Sequence, residues 1–310
     1  MVIIILQKVN GLIKLIRIYL VSFFCLCYYI GEVHTMEYSP KKMNELLENN
    51  NFKFSKKFGQ NFIIDENIIN NIINKSNIDN DTLVIEIGPG AGSLTYKLAM
   101  NAKNVIAYEI DTNLKEILKQ NLNNLNNIEI IFQDFLTRNV KEDLKKYDYK
   151  KLYVVANLPY YITTPIIIKL IEDDLNVDKI VVMVQKEVGD RFKAKPNSKD
   201  YSSLSVFLDY YFDVNKILDV SRNVFMPKPN VDSIVVEFKK KEKNILLKNK
   251  ELFFRIVRDS FKQKRKNIRN NLKDYDLEII EKVLNKYNFD LNARAEQLSI
   301  EIFAEISNNL

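Results

Sequence analysis

The sequence predicts an α/β fold in which a doubly wound, seven-stranded and mostly parallel sheet is followed by a small all-α C-terminal domain. Short apolar runs alternate with helical segments between residues 65 and 184. Each run is rich in Val and Ile and nearly continuous, which is typical of strands buried on both faces of a parallel sheet. Two further strands follow without a helix between them, and the pattern beyond residue 250 is wholly helical.

The apolar pattern also places the individual elements. The predicted parallel strands are Leu83–Ile87, Val105–Tyr108, Ile128–Phe132, Leu152–Ala156 and Ile180–Val184, and the predicted edge hairpin is Val214–Val220 with Ile234–Phe238. Asp65 is expected to cap the helix that precedes the first strand. The other predicted helices are Leu94–Met100, Leu114–Leu122, Pro165–Ile171, Leu252–Leu272, Leu277–Tyr287 and Ile300–Ile306.

The composition is that of an ordinary globular chain, with 310 residues of which 46% are hydrophobic and 28% charged. A formal net charge of +6 is modest for a nucleic-acid-binding protein, so the position of the charges matters more than their sum. We expect an apolar extension over residues 1–35, a large α/β domain over 36–241 and a helical domain over 242–310. Both cysteines and the single histidine lie in the extension, so neither a metal site nor histidine acid–base chemistry is expected in the body of the chain.

The extension has two interpretations. Lys14 and Arg17 precede the apolar run Ile18–Ile30, a layout that resembles a signal peptide or a short anchor. The run is shorter than the roughly 20 residues that cross a bilayer. The other interpretation is a misplaced start, with translation beginning at Met36, and the polar, helix-capable segment after Met36 favours it. We therefore expect a cytoplasmic protein with no stable membrane partner.

A cofactor site is predicted from three successive strand ends. The first strand runs into the turn EIGPGAG (residues 86–92), whose glycines let the backbone pass close to a ligand. The G-x-G-x-G spacing after Glu86 favours S-adenosylmethionine over a dinucleotide, whose fingerprint is G-x-G-x-x-G. Glu109 follows the second strand, where a carboxylate accepts from ribose hydroxyls, and Asp134 follows the third, where it accepts from an adenine amine. Taken singly, the glycine turn could be purely structural, and each carboxylate could be a solvated strand-end residue or a helix cap.

The fourth strand ends in Asn157–Leu158–Pro159–Tyr160, which predicts methylation of an exocyclic amine. Pro159 rigidifies the turn and biases Leu158 toward an extended conformation. The Asn157 side-chain oxygen and the Leu158 carbonyl can then accept from the amine, so that its nitrogen becomes tetrahedral and its lone pair is freed. Tyr160 offers a ring on which a flipped-out base stacks. The alternative, an ordinary proline turn, is less favoured because the motif follows a complete set of cofactor features.

Several stretches, in order from Phe54 to Leu298, carry a resemblance to a known family. They are KKFGQNFI (56–63), GPGAGSLT (88–95), QDFL (133–136), NLPYYITTPI (157–166), MVQKEV (183–188), YSSLSV (201–206), FMPKPNVDS (225–233), KRKNIRN (264–270) and RAEQLS (294–299). With them the chain resembles the ribosomal RNA adenine N6,N6-dimethyltransferases, most closely the branch that acts on small-subunit (16S-type) RNA. It departs from the usual pattern at Ile63, where Leu is common, and at Ala91 in the glycine turn.

The resemblance implies a Rossmann-like, S-adenosylmethionine-dependent methyltransferase. The cofactor-binding residues that it implies are Asn61, Ile63, Gly88, Gly90, Glu109, Asp134 and Asn157. It further implies that Phe225 holds the target adenine against Tyr160, although from the residue alone core packing is an equal alternative. The implied activity is dimethylation of two adjacent adenines near the 3′ end of small-subunit rRNA, within a pre-ribosomal small subunit and with a role in its biogenesis. A monomer is expected.

Basic residues supply the expected RNA contacts. Those predicted are Lys56, Lys57, Lys186, Arg191, Lys264, Arg265 and Arg269. Arg265 and Arg269 are expected four residues apart on one face of the first C-terminal helix. Such contacts bind phosphates without reading the base sequence, and the alternative for any single residue is a solvated helix face.

Three other functions remain open from the sequence. One is a large-subunit rRNA adenine N6-methylase of the macrolide-resistance type, which has the same fold and chemistry. Another is a non-catalytic ribosome-assembly or transcription factor of this fold, which the intact Glu109, Asp134 and Asn157 argue against. The last is a dinucleotide oxidoreductase, which failure to bind S-adenosylmethionine would favour.

Overall fold

The structure of the protein is a computed structural model that describes residues 40–242 and 245–310. Our two interpretations of residues 1–35 fall outside these ranges and stay predictions. Within the described ranges, no helix combines the length and the apolar character needed to cross a membrane. In the same part of the chain, no three His, Cys, Asp or Glu side chains are grouped so that they could hold a metal ion.

Seven strands form the central sheet, and two very short strands form a separate ladder. The strands are β1 (Phe62–Ile63), β2 (Thr82–Ile87), β3 (Asn104–Glu109), β4 (Ile128–Phe132), β5 (Lys151–Asn157), β6 (Lys179–Gln185), β7 (Phe212–Val220), β8 (Phe225–Met226) and β9 (Ser233–Lys240). The order across the large sheet is β4-β3-β2-β5-β6-β9-β7. Strands β2 to β6 pair in parallel, whereas β9 is antiparallel to both β6 and β7. The predicted seven-stranded, mostly parallel sheet with an edge hairpin is therefore confirmed.

Helices cover the sheet and form the C-terminal part. They are α1 (Pro40–Asn49), α2 (Glu66–Ser76), α3 (Ser93–Asn101), α4 (Lys115–Leu122), α5 (Val140–Leu144), α6 (Thr163–Glu172), α7 (Lys186–Phe192), α8 (Ser203–Tyr211), α9 (Lys250–Phe261), α10 (Ile268–Asn271), α11 (Leu277–Lys286) and α12 (Ile300–Asn309). Asp65 caps α2 as predicted, because its carboxylate accepts from Asn67 N at 2.9 Å. Helices α1, α5, α7 and α8 were not predicted from the sequence.

The prediction of one helix over Leu252–Leu272 is wrong, because the chain leaves the helix between α9 and α10. The intervening residues 262–267 are all polar, so no apolar side chain holds this stretch against the core. Asn267 begins a new helix by accepting from Asn270 N at 3.1 Å, and the Asn271 amide donates to Ser260 O at 2.7 Å. Arg265 consequently lies in a turn, and our expectation that it shares a helix face with Arg269 is also wrong.

Three apolar cores stabilise these elements. One lies between the sheet and helices α2 and α3, and a second lies on the opposite face of the sheet with α6 and α7. The third contains side chains from all four C-terminal helices, α9, α10, α11 and α12. It also contains Tyr201, which precedes α8, and Val206 and Tyr210, which lie in α8. The C-terminal helices thus share a core with residues that precede the hairpin, and a domain division near residue 242 stays a prediction.

The short ladder connects two segments that are far apart in sequence. β1 pairs with β8 in antiparallel register, with Ile63 opposite Phe225 and Phe62 opposite Met226. The backbone bond from Ile64 N to Val224 O, at 2.9 Å, extends the pairing. This ladder fixes the segment that contains β1 (residues 55–64, called the N-terminal segment below) beside the carboxyl ends of the parallel strands.

Replacement of Gly189 by Ala is expected to destabilise the fold by about 1–3 kcal/mol. Gly189 lies in α7 against β9, and a Cβ there would be 2.4 Å from Ile234 Cδ1 and 3.0 Å from Val236 Cγ2. Ile234 is fully buried, so it has little room to move. The free energy of unfolding in urea measures the effect. In a chain that already carries Ile234→Ala, the further loss caused by Gly189→Ala should be smaller than in the wild type. A Gly189→Ala protein as stable as the wild type would contradict this packing.

Candidate active site

A cavity of about 170 Å³ opens where β2, β3, β4 and β5 end. Its lining includes every residue that we predicted to bind the cofactor: Asn61, Ile63, Gly88, Gly90, Glu109, Asp134 and Asn157. Leu158, Pro159 and Tyr160 line the same cavity. The parallel sheet therefore brings the predicted cofactor features and the predicted catalytic turn to one place, as expected for the carboxyl edge of a doubly wound sheet.

The glycine turn passes directly beneath the N-terminal segment. Gly88 and Gly90 adopt φ angles of +73° and +59°, in the left-handed region that favours glycine. A Cβ at Gly90 would lie 2.8 Å from the Phe62 ring, so a larger residue would collide with β1. The turn is fixed to β3 by the bond from Gly88 N to Tyr108 O at 2.9 Å. Glycine is thus required at position 90 by both conformation and space.

Glu109 forms the floor of the cavity beside this turn. Its Oε2 accepts from Gly90 N at 3.1 Å, and its Oε1 accepts from Asp111 N at 2.8 Å. Burial raises the pKa of this carboxyl to about 7, and the two backbone donors act against the shift. A carboxylate oxygen can accept more than one hydrogen bond, so Glu109 retains capacity for ligand hydroxyls.

Three buried side-chain oxygens beside the glycine turn have no hydrogen-bond partner among the described residues: Glu86 Oε2 in β2, and Ser93 Oγ and Thr95 Oγ1 at the start of α3. Buried polar atoms without partners are rare in folded proteins. Burial, with a smaller contribution from the nearby Glu109, raises the pKa of Glu86 to about 8. Glu86 and Ser93 line the cavity, so this edge of it suits a polar ligand group.

Asp134 lies at the far side of the cavity, at the end of β4. Its Oδ1 accepts from Leu136 N at 2.9 Å and so begins a short 3-10 turn, Phe135–Thr137. No described residue donates a hydrogen bond to its Oδ2. Together with Glu109 and the unpartnered oxygens, this free acceptor fits the donor groups of an adenosine-containing cofactor.

The predicted catalytic turn is oriented by the segment that contains β1. The Asn157 amide donates from Nδ2 to the Asn61 backbone carbonyl at 2.8 Å, which leaves Oδ1 as the acceptor. Leu158 N donates to Met183 O at 3.2 Å and ties the turn to β6. The Tyr160 hydroxyl is hydrogen-bonded to Ser233 Oγ at 2.8 Å, and burial raises the pKa of this phenol. The arrangement presents an amide oxygen and an aromatic ring to the same cavity.

Phe225 is placed in the core. It is 3% exposed, packs with Ile63, Val220 and Val235, and is absent from the described lining of the cavity. This position favours the core alternative that we weighed from the sequence, and stacking of Phe225 on a base stays a prediction. Tyr161, which the sequence analysis did not single out, lines the cavity and is 58% exposed.

Gln60 is a further residue that the sequence analysis missed. Its Nε2 donates to Asp111 Oδ2 at 2.7 Å, while its Oε1 accepts from Ser55 N at 2.9 Å. Asp111 in turn donates its backbone N–H to Glu109. Gln60 thus links the segment before β1, through Asp111, to Glu109. Its only signal in the sequence was its place within the KKFGQNFI stretch.

The basic residues predicted to contact RNA are found at the surface. The exposed ones are Lys57, Lys186, Arg191, Lys264, Arg265 and Arg269. Lys56 lies in the 3-10 turn Lys56–Phe58, and its side chain is outside the described part of the structure. Lys264 donates to the Lys199 carbonyl at 2.8 Å, which joins the turn after α9 to the loop before α8. Among the described residues, none of the six exposed side chains makes a salt bridge, so their charges are available to an anionic partner.

Comparison with known proteins identifies the family. The chain matches the family described as "Ribosomal RNA adenine dimethylase" over residues 51–310. It is 47% identical over 277 residues to ribosomal RNA small subunit methyltransferase A of Staphylococcus aureus (strain bovine RF122 / ET3-1), covering 86% of this chain and 93% of the relative.

Two solved structures share the fold. A dimethyladenosine transferase from Plasmodium falciparum aligns with a TM-score of 0.67 and 26% identity, covering 79% of this chain and 95% of that one. The 23S rRNA methyltransferase ErmE aligns with a TM-score of 0.64 and 26% identity, covering 80% and 99%. The family match spans the sheet, the cavity and the C-terminal helices, and the chain therefore belongs to the ribosomal RNA adenine dimethylase family.

Proposed function

We propose that the chain uses S-adenosylmethionine to dimethylate the N6 amines of two adjacent adenines in the 3′-terminal hairpin of small-subunit rRNA. The observation that carries this proposal is the Asn157–Tyr160 turn, whose acceptors and aromatic ring line the same cavity as Glu109 and Asp134. The choice of small-subunit RNA is supported by the relative from S. aureus, which is named for that subunit. The proposed substrate context is a pre-ribosomal small subunit.

The cofactor would be held by the three strand ends. Glu109 would accept from its ribose hydroxyls, Asp134 Oδ2 would accept from its adenine amine, and the glycine turn would lie against its ribose. When bound, the cofactor supplies an electrophilic methyl group carried by a sulfonium. Ile63 and Leu158, which are almost fully buried, give the cavity an apolar wall beside the turn that carries Asn157.

The chain activates the amine by accepting hydrogen bonds from it. The lone pair of an adenine N6 is delocalised into the ring, and two acceptors that hold the N–H groups out of the ring plane make the nitrogen tetrahedral. Asn157 Oδ1 is oriented for this role because Nδ2 is fixed on the Asn61 carbonyl. The Leu158 carbonyl, in the same turn, is the second acceptor. The methylated nitrogen is cationic and its N–H is acidic, so Asn157 Oδ1 can hold that proton until water takes it, without a strong general base.

The target base would be held by stacking. Tyr160 lies beside the acceptors, and its hydroxyl is fixed on Ser233, so the ring is pre-oriented for a flipped-out adenine. Stacking of a base on an aromatic ring contributes about 1–3 kcal/mol. The RNA backbone would be bound by the exposed cations before the glycine turn, at α7 and in the C-terminal helical part. These phosphate contacts position the substrate and do not read its sequence.

The proposal is tested with the full chain, undermethylated small subunits and S-adenosylmethionine labelled in its methyl group. Recovery of the label as N6,N6-dimethyladenosine in small-subunit RNA is the expected result. Label that appears only on naked large-subunit RNA would instead identify a methylase of the macrolide-resistance type. Cofactor binding without any methyl transfer would identify a non-catalytic assembly factor.

Asn157→Ala is expected to lower the rate of dimethylation by about 100-fold or more, as when a pre-organised polar group is removed from an active site. The variant loses the acceptor Oδ1 but leaves Glu109 and Asp134 in place, so its affinity for S-adenosylhomocysteine should fall by much less than its rate. Single-turnover rates and calorimetric binding measure the two effects. The matched control is Asn101→Ala, an exposed position at the end of α3, which should keep the wild-type rate. A fully active Asn157→Ala protein would remove the proposed role of this amide.

Binding of 5′-methylthioadenosine is expected to strengthen as the pH rises from 6 to 8. Burial raises the pKa of Glu109 to about 7, and only its ionised form can accept from both ribose hydroxyls. The affinity should therefore level off about one pH unit above 7 and fall by up to about tenfold per pH unit below 7. This ligand has no amino-acid group that titrates in the range. Isothermal titration calorimetry at several pH values measures the profile.

Two other carboxyls lie near Glu109, so control variants must show which group titrates. Asp111 and Glu86 both lie close enough to act on its charge, and burial raises the pKa of Glu86 to about 8. Glu86→Gln should keep the step near pH 7, whereas Glu109→Gln should bind more weakly and show no step there. A profile that is flat in the wild type, or that disappears in Glu86→Gln alone, would assign the titration to another group.

A further inference from the structure

We infer that Arg138 and Asp143 form a positioning pair that sets the selectivity of the cofactor cavity for adenine. The inference rests on the proposed function, because it concerns the side of the cavity where Asp134 would accept from the adenine amine. Neither residue belongs to a stretch that carries the family resemblance, and neither is among the described residues that line the cavity. Both would therefore act through their neighbours.

Asp143 is buried and lies at the centre of a hydrogen-bond network that includes Arg138 and Tyr108. It lies in α5, is 1% exposed and accepts three hydrogen bonds. Arg138 donates two of them, from Nη2 to Oδ1 at 2.6 Å and from Nε to Oδ2 at 2.9 Å. The Tyr108 hydroxyl donates the third, to Oδ2 at 2.9 Å. The hydrogen bonds from Arg138 are the largest cause that lowers the pKa of Asp143, so this carboxyl is ionised at neutral pH.

Asp143 is connected to the cavity through its two hydrogen-bond partners, Tyr108 and Arg138. Tyr108 lines the cavity from β3, and its ring packs edge-on against Phe135 with centroids 5.3 Å apart. On the other side, Arg138 Nη1 donates to Gln133 Oε1 at 3.0 Å. Gln133 and Phe135, which flank Asp134 in the chain, both line the cavity. The network thus holds both neighbours of the proposed adenine contact.

The loop that carries Asp134 is closed by the same arginine. The side chain of Arg138 reaches back across the loop to Gln133, where the loop begins. Within the loop, Arg138 N donates to Phe135 O at 3.2 Å and Leu136 N donates to Asp134 Oδ1 at 2.9 Å. Because a hydrogen bond weakens steeply when its donor and acceptor are displaced, a loop without this closure would hold Asp134 Oδ2 less accurately.

The consequence is selectivity between two bases. Adenine presents an amine that donates to Asp134, whereas hypoxanthine presents a carbonyl oxygen that would face the carboxylate without a proton between them. A site built to accept from a donor rejects an analogue that lacks it, because its buried acceptor is left unpaired. The rejection depends on an accurately held carboxylate, and the Arg138–Asp143 pair supplies that accuracy.

The experiment compares S-adenosylhomocysteine with S-inosylhomocysteine, using dissociation constants from calorimetry and the full chain. Wild type should prefer the adenosyl ligand by at least about tenfold. Arg138→Met should reduce that preference by roughly 3- to 10-fold, because the bond to Gln133 is lost. It should also lower the melting temperature, because it leaves the buried charge of Asp143 without its partner. Asp134→Ala is the reference in which the preference disappears.

A second variant separates positioning from stability. Arg138→Met with Asp143→Asn removes the unpaired buried charge while keeping an acceptor for Tyr108, so its melting temperature should recover. Its preference for the adenosyl ligand should stay as low as in Arg138→Met, because the bond to Gln133 is still absent. The matched control is Glu142→Gln, which breaks the exposed pair of Glu142 with Lys145 on the same helix and should leave the preference unchanged.

Each outcome decides between the alternatives. Recovery of the preference together with the melting temperature would mean that the pair contributes only stability, and would overturn the inference. Equal weakening of both ligands in Arg138→Met, with their ratio unchanged, would overturn it as well. A wild-type chain that binds neither ligand would overturn the proposed function itself, which is a distinguishable result.

Discussion

The hydrogen bond from Gly90 N to Glu109 Oε2 is the contact on which the rest of the cavity depends. It joins the turn after β2 to the end of β3, two segments that each contribute one wall. The other oxygen of Glu109 accepts from Asp111, and Asp111 accepts from Gln60, so the same carboxylate also determines where the N-terminal segment lies. A single buried acid thus connects three parts of the chain that line one cavity.

This construction has an electrostatic cost in the absence of a ligand. Burial raises the pKa of Glu109 from 4.5 to about 7, which means that the folded chain holds a proton more tightly there than the unfolded chain does. Between these two values the stability of the unliganded fold therefore decreases as the pH rises. Burial also raises the pKa of Glu86, to about 8, so this carboxyl makes the stability of the fold decrease with rising pH in the same way. Hydroxyl donors supplied by a cofactor would offset this cost, so binding and folding are linked through the same carboxyls.

The sequence was informative wherever one physical rule determined the pattern. Strands β2 to β6 could be predicted because burial on both faces requires nearly continuous Val and Ile, and Glu109 and Asp134 because parallel strands end at one edge. The break after α9 could not, since lysine, arginine and glutamine are good helix formers and no local pattern marks the bond from the Asn271 amide to Ser260 O that crosses the turn. The β1–β8 ladder was missed for a related reason: it is two residues long and joins segments about 160 positions apart, so no local periodicity marks it.

The same ladder explains why the position of Phe225 and the orientation of Asn157 belong together. Pairing of β8 with β1 puts Phe225 opposite Ile63, where its ring fills the core next to the sheet instead of the cavity. The pairing also fixes the backbone just before Ile63, including the Asn61 carbonyl that accepts from Asn157 Nδ2. If that carbonyl moved, the amide could rotate and present a donor to the amine, which would oppose the freeing of its lone pair. From its place in the core, Phe225 therefore contributes to the orientation of the Asn157 amide, the acceptor that we propose activates the amine.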